Sequence, residues 1–365
     1  MGHSNLKTSD KIFELLEEIG IEEIGQETKV DLHSKKLNLR EHLILLMGFV
    51  LCRFPSMTEL CENTDAYDFL PDISKGQLSK VNRNRTYTSF VMIFYALLSH
   101  RTNFREHWRT RRYLRKKIVG IDSTQITLTQ ILNLPSTEVP LLDKEKNGIK
   151  IHLAALLGKM VQPLSAIVTP DNVHDSSEFE ELLSDVDMFE KLSELILVMD
   201  KGYTNYDRYR ELDERDISFV VQLKKNAKYT VLSSEKHKGY IDYRIRLEKN
   251  GLELRMVEYN GEFKKWTFIT NISSEELSGH DIREIYRMRW MIEIFFRKLK
   301  QVANIEHLIS ESNNGVIIQV YSTLVAYTLV NIFLIEHDFM RMSMERFARK
   351  LRHYIDKPVE KLEPP

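Results

Sequence analysis

The sequence predicts an α/β protein in which a sheet of mixed strand direction is flanked by helices, preceded by an all-helical region and interrupted by a β-rich segment. Three observations carry this expectation. Apolar residues follow a helical period through residues 10–100; from Lys117 short β-branched or apolar runs bounded by turn residues alternate with helical stretches; and residues 225–279 drop the helical rhythm and alternate in polarity.

In chain order, Ser9 and Asp10 are placed to cap a helix over 11–18, an apolar helix follows over 40–54, and a third over 87–98. Between the last two, residues 74–85 (SKGQLSKVNRNR) form a basic segment of helix-turn-helix size and a candidate for DNA binding. Strands are expected over 118–128, 149–157, 164–168, 195–199 and 217–223, with helices over 176–186 and 204–214 introduced by Ser or Thr caps, giving the order β-β-β-α-β-α-β. Residues 240–247, 252–259 and 265–270, linked through Asn250-Gly251 and Asn260-Gly261, read as a small inserted meander. Helix resumes at His280 and runs in three segments to His353, before a short Pro-containing tail. The expected units are therefore a helical N-terminal region (1–116), an α/β core (117–224), the β-rich insertion (225–279), the helices that complete the core (280–353) and a tail (354–365).

Composition excludes several classes. With 42% hydrophobic and 29% charged residues over 365 positions, the chain can bury a sizeable core and is neither collagenous nor low-complexity. Cys52 and Cys61 show no CxxC or His partner pattern, so no disulfide framework or cysteine-based zinc site is expected and a reducing compartment fits. No apolar leader precedes Asp10. Residues 316–335 carry no formal charge and are long enough to cross a bilayer, but Gln319, Ser322, Thr323, Thr328 and Asn331 dilute them, and a buried core helix is expected instead.

The net charge of -1 conceals a strong segregation. Residues 1–72 carry a net -7 and residues 73–117 a net +11. The stretch 101–117 places Arg111, Arg112 and six other cations around Trp108 and Tyr113, the charged-plus-planar chemistry that grips phosphates; the alternative is a solvated face that neutralises the acidic first third.

Two carboxylates stand where strands should end. Asp122 follows Val119-Gly120-Ile121, and Asp200 closes the apolar run 195–199 ahead of Lys201-Gly202-Tyr203. Ligands of open α/β sheets bind at strand ends, although a single Asp there is commonly a turn former or cap. A third acid strengthens the pattern. On a continuous helix over 283–300 at ~100° per residue, with Tyr286 at 0°, Arg289 falls near ~300°, Glu293 near ~340° and Lys300 near ~320°. Ile285, Met288, Ile292, Phe295 and Leu299 occupy another face, so the helix can bury that side against the sheet and present Glu293 toward the strand ends. An ordinary surface helix is the competing reading. Two hard cations ~3.5–4 Å apart need carboxylates from several elements and can drive an in-line phosphoryl displacement, with Arg289 and Lys300 left to hold flanking phosphates.

At these residues the chain resembles the DDE transposases of the insertion-sequence-four family. The pattern Y-x2-R-x3-E-x6-K is met by Tyr286, Arg289, Glu293 and Lys300, and the family's strand motifs resemble Ile121-Asp122-Ser123-Thr124 and Asp200-Lys201-Gly202-Tyr203. The resemblance spans about 117–308, and more loosely 74–85. It implies an RNase-H-like core holding a β-rich insertion between the second Asp and the Glu. It further implies Asp122, Asp200 and Glu293 as catalytic ligands of Mg2+, with Mn2+ as substitute and occupancy by two ions, in an enzyme that cuts element ends and joins them to target DNA. Tyr286, Arg289 and Lys300 become DNA contacts on the same basis. Trp266, by its position in the insertion, could stack on a base near the cleaved end or simply fill a small β-core. His174-Asp175 resembles a family segment and carries no assigned role. The implied partners are double-stranded DNA, as terminal inverted repeats and as target, and a second copy of the chain in a synaptic dimer, with no membrane. The implied location is the prokaryotic cytoplasm, at the nucleoid. The competing readings are a catalytically silent DNA-binding descendant of such an enzyme and a structure-specific nuclease or a paired-carboxylate glycosidase; the glycosidase ranks far behind because it leaves the Arg289/Lys300 stripe and the +11 segment unexplained.

Overall fold

The structure, a computed structural model, describes residues 7–32, 34, 36–100, 116–127, 148–158, 160–261, 265–301, 305, 309–310, 312–337 and 344–359. They form two compact units, the first from the described residues of Met1–Asn103, Ile126–Ile149 and Phe296–Pro365, the second from those of Phe104–Gln125 and Lys150–Phe295.

The first unit is helical. Its N-terminal part comprises α1 (Thr8–Glu18), α2 (Ile21–Glu27), α3 (Leu39–Cys52), α4 (Met57–Glu62), α5 (Lys75–Asn84) and α6 (Thr88–His100). Capping boxes start α3, through Asn38 and Glu41, and α5, through Ser74 and Gln77. The cap expected at Ser9-Asp10 does not form; α1 begins at Thr8, whose N–H and hydroxyl bond to the carbonyl of Lys357. A tertiary partner replaces the local cap. The long apolar helix over Asn313–Glu336 packs against α1, α3, α5 and α6 and is buried along almost its whole length, as a core helix, although its length and composition alone would let it cross a membrane.

The second unit is built on one nine-stranded sheet. Its strands are β1 (Lys117–Thr127), β2 (Gly148–Leu157), β3 (Val161–Pro170), β4 (Leu195–Met199), β5 (Ser218–Gln222), β6 (Tyr229–His237), β7 (Tyr240–Leu247), β8 (Glu253–Asn260) and β9 (Lys265–Thr270), in the spatial order 3-2-1-4-5-9-8-7-6. Strands β1, β4 and β5 run parallel, while β5 and β9 pair antiparallel. Helices α7 (Phe179–Phe189) and α8 (Tyr206–Glu214) complete the β-β-β-α-β-α-β order, an RNase-H-like mixed sheet. The cap of α8 is Asn205, whose side chain accepts from the N–H groups of Asp207 and Arg208, one residue beyond the expected Thr204.

The β-rich segment extends the core sheet through β9, and it differs from expectation in having a fourth strand, β6, whose residues are exposed on both faces and so show no alternation to read. After it come α9 (Gly279–Met288), α10 (Trp290–Gln301), α11 (Asn313–Glu336) and α12 (Met344–Tyr354).

Within the first unit His42 is fully buried, its Nε2 2.7 Å from Asn82 Oδ1 and its ring edge-on to Phe90 at 5.2 Å. Burial, with the nearby Arg85 charge, lowers its pKa to about 3 against the pull of the Asn82 bond. The folded state therefore keeps His42 neutral where the unfolded chain, titrating near ~6.5, takes up a proton. Stability from this site is complete above that value and is lost as pH falls toward 3. Between pH 6.5 and 5 the loss should reach about 1.5 to 2 kcal/mol. Denaturant unfolding of wild type and His42→Gln across that window should show a shallower decline in the variant, and parallel curves would refute the assignment.

Candidate active site

Asp122 and Asp200 come together because the β1–β4 pairing stops one residue before each of them. Strand β1 itself runs on to Thr127, so Asp122 stands within that strand and not at its end as expected, while Asp200 does follow the end of β4. The parallel β1–β4 register pairs Ile121 with Met199, so the next residue on each strand is an acid, and neighbouring strands lie only ~4.8 Å apart. Asp122 accepts from the N–H of Ser123 at 2.9 Å, while Asp200 caps the 3-10 turn Lys201–Tyr203 and accepts from the N–H of Gly202 at 3.3 Å.

Glu293 arrives on α10, and Gly120 determines how closely. A Cβ on Gly120 would stand 2.5 Å from Ile292 Cδ1 and 2.9 Å from Leu157 Cδ1. The helix thus rests on the strand two residues before Asp122. Ile285, Ile292, Phe295 and Leu299 are buried, as the apolar stripe requires, and Met288 is half-buried. Burying each such side chain contributes roughly 1.5–3 kcal/mol.

The expected continuous helix is interrupted at Arg289. The N–H of Arg289 donates to Tyr286 O and that of Ile292 to Arg289 O, both at 3.0 Å, a local 3-10 turn. From this break the guanidinium makes two charged hydrogen bonds, Nη1 to Asp122 Oδ2 at 2.8 Å and Nη2 to Glu293 Oε1 at 2.5 Å. Its Cζ lies 5.7 Å from the centre of the Tyr286 ring, which packs on Phe268 at 4.8 Å. Tyr286, Arg289 and Glu293 are therefore gathered with Asp122 around one charge cluster. Lys300 is half-buried in the last turn of α10 and falls in the first unit, since the division between units lies within that helix. Trp266 sits on β9 opposite Tyr259 with 39% of its surface exposed, so it is not a core residue. Trp290, directly after Arg289, is also exposed. Arg111 and Arg112 lie outside the described residues.

The electrostatics follow from burial. Desolvation raises the Asp122 pKa to about 6, with Asp200 and Glu293 adding to the rise and Arg289 and the Ser123 N–H opposing it. Burial also works against the Arg289 charge, but Tyr286, Asp122 and Glu293 outweigh it and hold the guanidinium above its ordinary value. Burial pushes the Tyr286 phenol up to about 12, so it stays protonated at neutral pH.

A further carboxylate, given no role by sequence, borders the site. Asp175 accepts from Ser123 Oγ at 2.8 Å and pairs with Lys150 Nζ at 3.0 Å. Burial pushes its pKa up, but the Ser123 hydroxyl and the Lys150 ammonium more than offset this, and the net shift is downward. The sequence signal was the His174-Asp175 pair just past a strand; nothing in the local pattern marks Lys150.

The model of the transposase DDE domain matches residues 114–329, more than half of the chain. The chain belongs to the transposase DDE-domain family. Among relatives, the transposase named for insertion sequence element IS4SA of Synechocystis sp. is 29% identical over 149 residues, covering 39% of this chain and 42% of that protein. The transposase named for element IS5377 of Geobacillus stearothermophilus is 26% identical over 247 residues, covering 61% and 58%. The chain thus spans about half the length of these two curated relatives. Among solved structures, the piggyBac transposase synaptic complex with hairpin DNA aligns with a TM-score of 0.48 at 11% identity, covering 97% of this chain and 80% of that one.

DDE-domain transposases generally use divalent metal ions. The donor set here suits such a cation, being carboxylate oxygen from three elements, with Asp122 half-buried and raised in pKa by desolvation despite the Arg289 charge beside it. Among the described residues, however, no three His, Cys, Asp or Glu side chains converge closely enough to share an ion. Asp122 and Glu293 converge on the guanidinium instead, which relieves their mutual repulsion.

Replacing Gly120 by Val should force α10 away from β1. Overpacking of this kind costs about 1–3 kcal/mol, so a lowered midpoint in urea unfolding is expected, with a smaller effect for Gly120→Ala. An unchanged midpoint in Gly120→Val would show that helix and strand are not in this contact.

Proposed function

We propose that this DDE-domain protein cuts DNA at the ends of an insertion sequence and joins those ends to target DNA, with Asp122, Asp200 and Glu293 as its metal-binding catalytic acids. The observation that carries the reading is the bridge through Arg289, which ties Asp122 to a glutamate far along the chain beside the in-register Asp200. Mg2+ is the cation proposed, as two ions with Mn2+ able to substitute; bound there, it would polarise the phosphate and activate the attacking oxygen.

The chain's own residues supply the rest. Arg289 bridges Asp122 and Glu293, the carboxylates that would hold the cation, and its planar fork is also suited to a DNA phosphate. Tyr286, protonated and packed on Phe268, limits the swing of Arg289. Lys300 and Trp266 are proposed as phosphate and base contacts, and Arg111 and Arg112 enter on their charge alone. In the first step water attacks phosphorus, the bond to the 3′ oxygen breaks and a 3′-hydroxyl is left; in the second that hydroxyl attacks a target phosphodiester, so one ester replaces another and no external energy is needed.

In the first unit, α5 supports a DNA partner. Leu78 and Asn82 are buried, whereas Lys75, Gly76, Ser79, Lys80 and Arg83 are exposed along one face. A paired arrangement of two chains on two element ends, in the prokaryotic nucleoid, completes the proposal. The silent alternative has no observation in its favour.

Supercoiled plasmid carrying the element ends should be nicked by wild type in Mg2+ or Mn2+, while Asp200→Asn should lose at least about a hundred-fold in rate, since carboxylates of a two-metal site act together. Equal nicking by both proteins would remove the metal mechanism. Lys300→Ala should weaken cleavage and flatten the salt dependence of DNA binding at unchanged melting temperature; a lower melting temperature with full cleavage would make Lys300 structural.

A further inference from the structure

Asp175 does not behave as a turn former. It opens the 3-10 turn Asp175–Ser177, whose capping position, His174, makes no side-chain cap bond. Its carboxylate turns instead to residues distant in sequence. Oδ1 accepts from Ser123 Oγ at 2.8 Å and lies 3.0 Å from Lys150 Nζ, and the same ammonium donates to Val173 O at 2.7 Å. Oδ2 abuts Gly202, where an added Cβ would stand 3.2 Å from it and 3.7 Å from Asp200 Oδ2.

These contacts place one side chain between the supports of two catalytic acids. Ser123 donates its N–H to Asp122 and its hydroxyl to Asp175, so a single residue couples the two carboxylates. Gly202 donates its N–H to Asp200, and Asp175 Oδ2 occupies the space beside the position its missing Cβ would take. The loop that carries Asp175 is itself fastened twice. Gln125 donates to Asp171 at 2.9 Å on the β1 side, and Arg208 of α8 donates to Ser176 O at 2.8 Å while lying over the Phe179 ring at 4.1 Å. The Asp175–Lys150 pair is half-buried, and such an ion pair contributes little net stability because both charges lose part of their hydration. What it supplies is a defined position, and carboxylates that share metal ions must be held to about 0.5 Å.

We propose that Asp175, anchored by Lys150, is a positioning residue that sets the spacing of Asp122 and Asp200 for cation binding, through Ser123 on one side and the Gly202 turn on the other. This rests on the proposed metal-dependent cleavage and adds to it a fourth acidic residue that acts through the first two. Outer-shell partners of metal ligands typically change affinity by about 10–100-fold when lost.

The test measures Mn2+ binding to the full-length, DNA-free protein by isothermal titration calorimetry, alongside plasmid nicking against Mg2+ concentration and thermal melting. Asp175→Ala should bind Mn2+ at least about ten-fold more weakly and need correspondingly more Mg2+. Asp175→Asn, which keeps an acceptor for Ser123, should recover most of that loss. The double variant Lys150→Met/Asp175→Leu removes the pair without leaving an unpaired ammonium. It should remain weak in Mn2+ binding while melting near wild type, and it decides the matter if Asp175→Ala does not fold. Wild-type affinity in Asp175→Ala or in the double variant would overturn the proposal, as would losses in cleavage that merely follow the melting temperature. Failure of wild type itself to bind Mn2+ would overturn the cation site and the proposal with it, whereas normal Mn2+ binding by wild type and by Asp175→Ala would sink the positioning role alone.

Discussion

The arrangement of the second unit depends on one close contact, the seating of Ile292 on the bare backbone of Gly120. Strand pairing alone delivers two carboxylates, since each follows the last residue of the β1–β4 register. It cannot deliver the third, which must come from a helix lying across the same strand. Because Gly120 has no side chain, α10 comes close enough for Glu293 to share a guanidinium with Asp122. Close-packed interiors transmit such displacements with little loss, so a single methyl group on the strand bears on the charge cluster.

The β-rich insertion serves the same placement from the other direction. Arg255 on β8 pairs with Asp242 on β7, both nearly buried, and uses its remaining donors on the carbonyls of Ile272, Ser273 and Leu277. Those carbonyls belong to the segment leading into α9, whose first residue, Gly279, lies against the Tyr240 ring of β7 with no room for a side chain. The insertion thus holds the entry to the helical pair that carries Tyr286, Arg289 and Glu293. Its pairing with β5 through β9 makes it a continuation of the sheet that bears the two Asp residues. An element placed between the second and third acids in sequence thereby fixes the third relative to the second.

Much of this was legible in the sequence because it rests on period and spacing. The core strands, the turn at Asn250-Gly251 with Gly251 at φ +70°, and the buried stripe of α10 all follow from local pattern. The break at Arg289 was not legible, since a single 3-10 turn leaves the apolar spacing nearly intact. Strand β6 was not legible either, because exposure on both faces erases alternation. Nor could pattern reveal that α11 packs with the N-terminal helices, since an apolar stripe shows that a helix is buried without showing what buries it. Asp175 illustrates the same limit within the site. Its partners, Ser123 and Lys150, precede it by 52 and 25 positions, and only the fold brings them into contact.

Charge is the property that composition most misrepresents here. A net charge of -1 would place this chain among proteins indifferent to polyanions. The structure shows why the sum is uninformative. Within the second unit acidic and basic groups pair locally, as in the Arg255–Asp242 and Lys117–Glu190 pairs, while Arg289 offsets part of the charge of Asp122 and Glu293. On α5 no such cancellation occurs along the helix, which has no acidic residue, and its cations stand on the face away from Leu78 and Asn82. The far end is held by Arg85, buried against Asp31 and the carbonyls of Leu37 and Asn38, so the charges ride on an anchored scaffold. Phosphate attraction depends on such local accumulation and not on the total, so a chain with a net charge of -1 can still present a basic face along one helix.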